Sequence, residues 1–297
     1  HYLIKKSYYK LANKDRINDF NIDNKKNEIY EEDDYINLDI IIGQGTYFKA
    51  KLIFMIEEEN LFIIKEQYVE HISVPDLVAR ETYNYQKLNH PLLPKFYGTT
   101  KKNKSLVIEY IEGETLNKIE KLKLNENEKI QIIFEIMIMI RYFHDNKMIL
   151  RDLKPDNIMI DYNKTVVFID FDQVINFNEN KTKDFSSIYI APDFSSNYNI
   201  SYPCDIYSLG KIIYFIMFEK LPIDINMSKF NDFGKHSTIK NIYHKCIKID
   251  PDERQTIHEI IDIFYNEYQS QIKIDHFENI VKEFDILIKD PKLQFKL

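Results

Sequence analysis

The stretch "ILRDLKPDNIMI", residues 149–160, sets a carboxylate, a cation and an amide oxygen on one short turn between two apolar runs. Asp152, Lys154 and Asn157 carry these groups. They are the parts needed to orient a hydroxyl nucleophile, neutralise a phosphoryl group in transfer and hold Mg²⁺. Taken alone, the stretch is equally a plain polar turn, so its neighbours along the chain must decide.

Just upstream, "NENEKIQIIFEIMIMIRYFHDN" has Asn125 in N-cap position and a broad apolar face, which predicts a buried helix. Downstream, "NIMID" and "TVVFID" read as short strands, followed by helical stretches at 205–220 and 253–269. The first third differs in character. "YINLDIIIGQG" and "FKAKLIFMI" are β-branched and aromatic and suggest a hairpin, with "NLFIIKEQY" and "LVIEYI" as further strands. "VPDLVARETYNYQKLNH" has helical spacing and is ended by Pro91. The fold class expected is therefore α+β, a small sheet with one helix followed by a larger, mostly helical part. Residues 1–36, which contain the acidic run "EIYEEDD" at 28–34, read as a solvated extension or linker. The expected divisions are 1–36, 37–112, 113–265 and a C-terminal extension at 266–297. In that extension Phe277, Ile280, Val281, Phe284 and Leu287 have helical spacing, suited to docking on the larger part or on a regulatory partner.

Composition narrows the partners. A chain of 297 residues with 44% apolar residues can bury two cores. Its net charge of −7 offers no basic field, so neither nucleic acid nor an anionic membrane surface is favoured. The most apolar run, "IIFEIMIMI", is too short to span a bilayer and contains Glu135. Cys204 and Cys246 lack the close Cys or His neighbours of a zinc site and read as reduced thiols, pointing to an intracellular compartment. A chain that begins at His1 leaves open that it is a fragment or has lost a targeting segment.

The ordered set of motifs resembles the eukaryotic-type protein kinases over residues 37–265. "GQGTYFKA" (43–50) is similar to the glycine-rich loop, "FIIK" to the strand ending in a phosphate-binding lysine, and "RETYNYQKLNHP" to the helix bearing its acidic partner. "LVIEYIEG" resembles the adenine hinge, "LRDLKPDN" the catalytic loop and "DFD" the metal turn. "IAPD", "DIYSLG" and "DPDER" match later elements. The resemblance implies a bilobal kinase-like fold and ATP-dependent, Mg²⁺-assisted transfer of the γ-phosphate to protein substrates. Lys154 in "DLKPDN" accompanies serine/threonine rather than tyrosine specificity.

By position, the resemblance makes Lys65 the holder of the α- and β-phosphates, Glu81 its partner, Asp152 the acceptor of the hydroxyl proton and Lys154 the stabiliser of the γ-phosphoryl group. Asn157 and Asp170 would bind Mg²⁺. Ile42, Gly43, Gln44, Gly45, Ala50, Ile63, Ile108, Glu109, Ile111 and Met159 would contact the nucleotide, with Ile108 as gatekeeper and Glu109 to Ile111 supplying backbone groups. Asp205 would brace the catalytic loop and Arg254 would pair with Asp193. Arg151 before Asp152 is the feature associated with activation by phosphate, and Thr182 is the favoured regulatory site, with Ser186 aligned to a residue that contacts the catalytic Asp. An unmodified loop, with Asp184 supplying charge, stands beside that reading.

Four positions depart from the family pattern. Leu150 replaces a histidine but keeps an apolar contact; with Tyr85, Phe96 and Phe171 it would form a stack. Phe48 takes the third glycine's place, where change is best tolerated. Ile63 replaces a small residue above the adenine while Ala50 replaces a larger one, which conserves volume. Asp172 replaces the glycine of the metal turn, at a cost of roughly 1–2 kcal/mol if φ is positive there. These departures leave a second class of function, a pseudokinase scaffold, as the alternative to an active serine/threonine kinase.

Overall fold

The computed structural model describes residues 28–45, 48–67, 77–102, 105–177, 179, 187–195, 200–222 and 233–273. Thr182, Ser186 and the expected C-terminal helix lie outside the described residues. The chain forms two compact units. The first runs to Gly113 and also takes in Met159–Asn163 and Val167–Asp172; the second holds Glu114–Ile158, Lys164–Val166 and the described residues from Gln173 onward.

In the first unit, six strands lie in the order β1-β5-β6-β4-β3-β2. They are β1 (Glu28–Tyr30), β2 (Tyr35–Gln44), β3 (Phe48–Met55), β4 (Asn60–Gln67), β5 (Phe96–Thr100) and β6 (Leu106–Glu109), with helix α1 (Leu77–Lys87) after β4. The antiparallel β3–β4 register pairs Ala50 with Lys65 and Leu52 with Ile63. Because side chains alternate along a strand, this register sorts them onto two faces. Ile53, Met55, Phe62 and Ile64 bury one face together with Val107, while Leu52, Phe54 and Leu61 cluster on the other.

The acidic segment read as a solvated extension contributes to this core. Glu28–Tyr30 pairs in parallel with β5, and the Tyr30 ring is buried with Ile53, Met55 and Phe62. The two chains come so close that a Cβ on Gly98, at φ 152°, would overlap the Glu28 backbone. Exposed pairs of Glu31 with Lys101 (2.6 Å) and Glu32 with Lys102 (2.8 Å) link the acidic run to the end of β5. The burial of one aromatic ring outweighs the solvated character of its neighbours, which composition alone hides.

The second unit is mostly helical. After β7 (Gly113–Thr115) and α2 (Ile119–Leu122) comes α3 (Glu126–Asp145). Its start is fixed by a capping box: Asn125 Oδ1 accepts from Glu128 N at 3.0 Å and Glu128 Oε2 from Asn125 N at 2.8 Å. Residues 132–140 are all buried, including Glu135, whose carboxylate accepts from Val166 N (2.7 Å) and Gln131 Nε2 (2.9 Å). A buried carboxylate is tolerable only when its lone pairs are filled in this way.

Strands β8 (Met148–Ile149) and β11 (Ile175–Asn176) of this unit pair with each other, whereas β9 (Ile158–Asp161) and β10 (Val166–Phe168) fall mostly in the stretches that belong to the first unit. Helices α4 (Pro203–Phe218), α5 (Ser237–Cys246) and α6 (Ile257–Tyr268) complete the unit. Helix α5 was legible as Ile239, Ile242, Tyr243 and Cys246, all buried at helical spacing, though the sequence reading did not single it out. Cys204 and Cys246 are both free and buried. Among the described residues no helix is long and apolar enough to cross a membrane.

Candidate active site

In the first unit, three ionisable side chains from separate elements converge. Lys65 on β4 donates to Glu81 Oε1 of α1 and to Asp170 Oδ1, just past β10, each at 2.8 Å. Glu81 is fully buried, whereas the Asp170 side chain is 36% exposed, so part of the outer carboxylate faces solvent. Burial by itself would lower the Lys65 pKa, but the Asp170, Glu81 and Asp172 carboxylates outweigh it and hold the ammonium above its ordinary value. Burial pushes the Glu81 carboxyl upward, opposed mainly by Lys65.

Helix α1 also grips the metal turn by its backbone. Phe171 N donates to Glu81 Oε1 at 3.2 Å, and Asn84 Nδ2 donates to the Phe171 carbonyl at 2.9 Å. Asn84 is buried and stands three residues after Glu81, hence on the same helical face. The sequence reading missed it; an amide on an otherwise buried face was the available signal. Tyr85 packs its ring edge against Phe171 (centroids 4.9 Å) and stacks on Phe96 (5.7 Å). Leu150, the remaining expected member of that stack, belongs to the second unit, where it is buried.

The strain expected at Asp172 sits elsewhere. Among the described residues, the positive φ of the turn belongs to Asp170, at 73°, and Asp172 is not in the left-handed region. Asp tolerates that conformation because its short side chain bonds the nearby backbone, and Asp170 Oδ1 accepts from Asp172 N at 3.4 Å. The missing glycine therefore carries no left-handed strain in this conformer. Its replacement adds instead a carboxylate within electrostatic reach of Lys65.

The nucleotide-contact candidates all lie in this unit. Gly43 pairs with Ala50, which pairs with Lys65, while Ile63 pairs with Ile108. Ala50 and Ile63 are thus diagonal neighbours on one face of the sheet, as an exchange of volumes between them requires. Among the described residues a Cβ placed on Gly43 or Gly45 would meet nothing closer than 3.7 Å, and neither residue has a positive φ. Neither packing nor backbone conformation demands glycine there, so the room is left for something approaching the backbone. Ile42 is exposed, Gln44 ends β2, and Met159 lies on β9. Ile108, Glu109 and Ile111 are buried, and the Glu109 N–H donates to the Lys95 carbonyl at 2.9 Å.

The second unit holds the loop expected from the sequence to be catalytic. Asp152 Oδ2 accepts from Lys154 Nζ at 2.6 Å and from Asn157 Nδ2 at 3.1 Å, and the same amide donates to the Asp152 carbonyl at 2.9 Å. With its nitrogen so used, Asn157 keeps its oxygen for a hard cation. Beneath the loop, buried Asp205 at the start of α4 accepts from Arg151 N and Leu150 N, both at 2.9 Å, and from His144 Nε2 at 3.0 Å. This bracing holds Arg151 at φ 68°, a left-handed conformation of the kind retained where surrounding structure over-determines it. Arg254 pairs with Asp193 at 2.5 Å, both buried, and also donates to the Pro203 carbonyl at 2.9 Å.

Among the described residues no group of three or more His, Cys, Asp or Glu side chains forms a ready metal cage. Mg²⁺ does not need one, since it is commonly held by one or two carboxylates together with substrate phosphates and water. Asp170, part-exposed in the first unit, and the amide oxygen of Asn157, in the second, are each donors of that kind.

A family model for the protein kinase domain matches residues 36–266. The chain is 30% identical over 244 residues to the SNF1-like protein kinase ssp2 of Schizosaccharomyces pombe, covering 74% of this chain and 42% of that protein. It is 27% identical over 245 residues to the carbon catabolite-derepressing protein kinase of Saccharomyces cerevisiae, covering 74% and 38%. Against calcium-dependent protein kinase 6 of Plasmodium berghei it is 31% identical over 244 residues, covering 75% and 16%. The chain thus spans less than half the length of these relatives. A β-rich unit carrying the Lys65–Glu81–Asp170 cluster and a helical unit carrying the Asp152 loop, matched along 36–266, show that the chain belongs to the protein kinase domain family, with its bilobal fold class.

Proposed function

We propose that this chain is an ATP-dependent protein serine/threonine kinase that works with Mg²⁺. The observation that carries the reading is Lys65 held at 2.8 Å by both Glu81 and Asp170, a buried cation positioned by one permanent acid and one part-exposed acid. Such an arrangement serves a phosphate-binding lysine and a metal-binding carboxylate better than it serves stability, because buried ion pairs contribute little net folding energy. The space left at Gly43 and Gly45 supports close approach of a triphosphate to the backbone.

In this reading Lys65 binds the α- and β-phosphates while Glu81 fixes its position. Asp152 accepts the proton of a seryl or threonyl hydroxyl as its oxygen attacks the γ-phosphorus, and ADP leaves. Lys154, already held against Asp152, places positive charge where the transferring group needs it. Asp170 and Asn157 hold Mg²⁺, which neutralises charge on the phosphates when bound. The nucleotide rests on Ala50, Ile63, Ile108, Ile111 and Met159. Lys154 supports the serine/threonine preference through the family resemblance, and the free, buried Cys204 and Cys246 support a reducing, intracellular setting.

The test is transfer of labelled phosphate from ATP to a generic protein substrate. Transfer by the unaltered chain and its loss in Asp152→Asn are expected. ATP-dependent thermal stabilisation without any transfer would overturn the reading in favour of a nucleotide-binding scaffold.

A further inference from the structure

Phe48 stands where the family resemblance puts the third glycine of the nucleotide loop, and its side chain is only 6% exposed. It opens β3, two residues before Ala50, so it points to the same face of the sheet as Ala50 and, across the β3–β4 ladder, Lys65. There the ring lies over the Lys65 ammonium, Nζ 4.5 Å from its centroid. An aromatic face attracts a cation through its quadrupole, and the attraction strengthens once both partners are desolvated. Lys65 has three N–H donors: one goes to Glu81, one to Asp170, and the remaining open side of the ammonium is covered by Phe48. A glycine at this position covers nothing.

From this geometry we infer that Phe48 is a gate on the phosphate-binding lysine, one that phosphate-bearing ligands must displace and phosphate-free ones need not. The inference deepens the kinase reading and rests on Lys65 being the phosphate anchor. A ligand that reaches only the adenine-facing residues Ile63 and Ile108 leaves the Phe48–Lys65 contact in place. A ligand with α- and β-phosphates takes the ammonium from the ring. The gate therefore reduces discrimination in favour of ATP and ADP over adenosine. It also couples phosphate binding to release of Asp170, since two phosphate oxygens need both the donor held by Asp170 and the side held by the ring.

The test measures binding of ATP with Mg²⁺, ADP with Mg²⁺ and adenosine to the unaltered chain, Phe48→Gly and Phe48→Leu by calorimetric titration. In Phe48→Gly, affinity for ATP and ADP is expected to rise about tenfold, with adenosine unchanged within about twofold. Phe48→Leu, which keeps bulk and strand propensity but lacks the ring quadrupole, is expected to show part of the gain and guards against a glycine variant that folds poorly. Unchanged ATP affinity in both variants, or equal changes for ATP and adenosine, would overturn the gate. Phosphate transfer by the unaltered chain, assayed alongside, separates the two ideas: transfer with unmoved selectivity ends the gate alone, whereas a chain that binds no nucleotide in any variant ends both.

Discussion

The two clusters of functional side chains are assembled in opposite ways. In the second unit Asp152, Lys154 and Asn157 lie within six residues, and their mutual hydrogen bonds are those of a single turn. In the first unit Lys65 meets partners 16 and 105 residues away, on a helix and on a turn beyond β10. The local cluster is fixed once its loop is braced from below. The remote one exists only while strand, helix and metal turn stay in register, so a change in any of them alters it. On the proposed roles, a kinase domain so built can be regulated at its phosphate-anchoring side without disturbing the residues assigned to the proton.

The sharpest way to separate the clusters is to disable chemistry in the local one. Asp152→Asn keeps the shape but removes the proposed base; phosphate transfer is expected to fall by about 10²–10⁴-fold. ATP affinity measured by titration should hold, and a matching loss of ATP binding would show that the clusters are not separable. Next in size is the brace. Asp205→Asn replaces one of two accepting oxygens beneath Leu150, Arg151 and His144 with an amide nitrogen, at an expected cost of about 3 kcal/mol in urea-induced unfolding. A variant as stable as the parent would mean that the loop does not depend on this support.

A smaller effect is expected from the remote cluster's own clamp. Asn84→Leu matches the buried volume but leaves the Phe171 carbonyl without that donor, costing roughly 1–3 kcal/mol of the turn's preference for its present conformation. The readout is the Mg²⁺ concentration needed for half-maximal transfer, which should rise, whereas kcat at saturating Mg²⁺ should be largely retained. An equal drop in kcat at all Mg²⁺ concentrations would place Asn84 outside the control of Asp170.

The smallest expected effect is on pH. Buried His90 accepts from Leu92 N at 3.2 Å, and desolvation lowers its pKa from 6.5 to about 3. The folded state thus prefers the neutral ring, and stability present above pH 6.5 is lost as pH falls toward 3. Between pH 7 and 5.5 the loss from this group is about 1 kcal/mol. Urea titrations should show it in the parent and not in His90→Asn; identical pH slopes would remove His90 as the cause.

Much of this was legible in the chain. The Asp152 turn reads directly because its parts are close in sequence. The long α3 reads from its cap and broad apolar face, and the β2–β3 hairpin from β-branched and aromatic runs joined by glycines. Lys65, Glu81 and Asp170 could be named only through resemblance, since nothing local ties residues so far apart. Within the expected extension, Glu28–Tyr30 departs from a solvated linker because acidic neighbours mask one buried tyrosine, Tyr30.

By itself, then, the sequence determined the class of fold and the set of chemical groups, because periodicity, caps and short-range motifs are local properties that each segment carries with it. The tertiary structure alone decided where the left-handed backbone falls in "DFD", that Asn84 holds the turn, and that the Phe48 ring covers Lys65. Those outcomes depend on register between strands and on which helical face meets the turn, and register is set by the packing of the whole core rather than by any stretch that can be read alone.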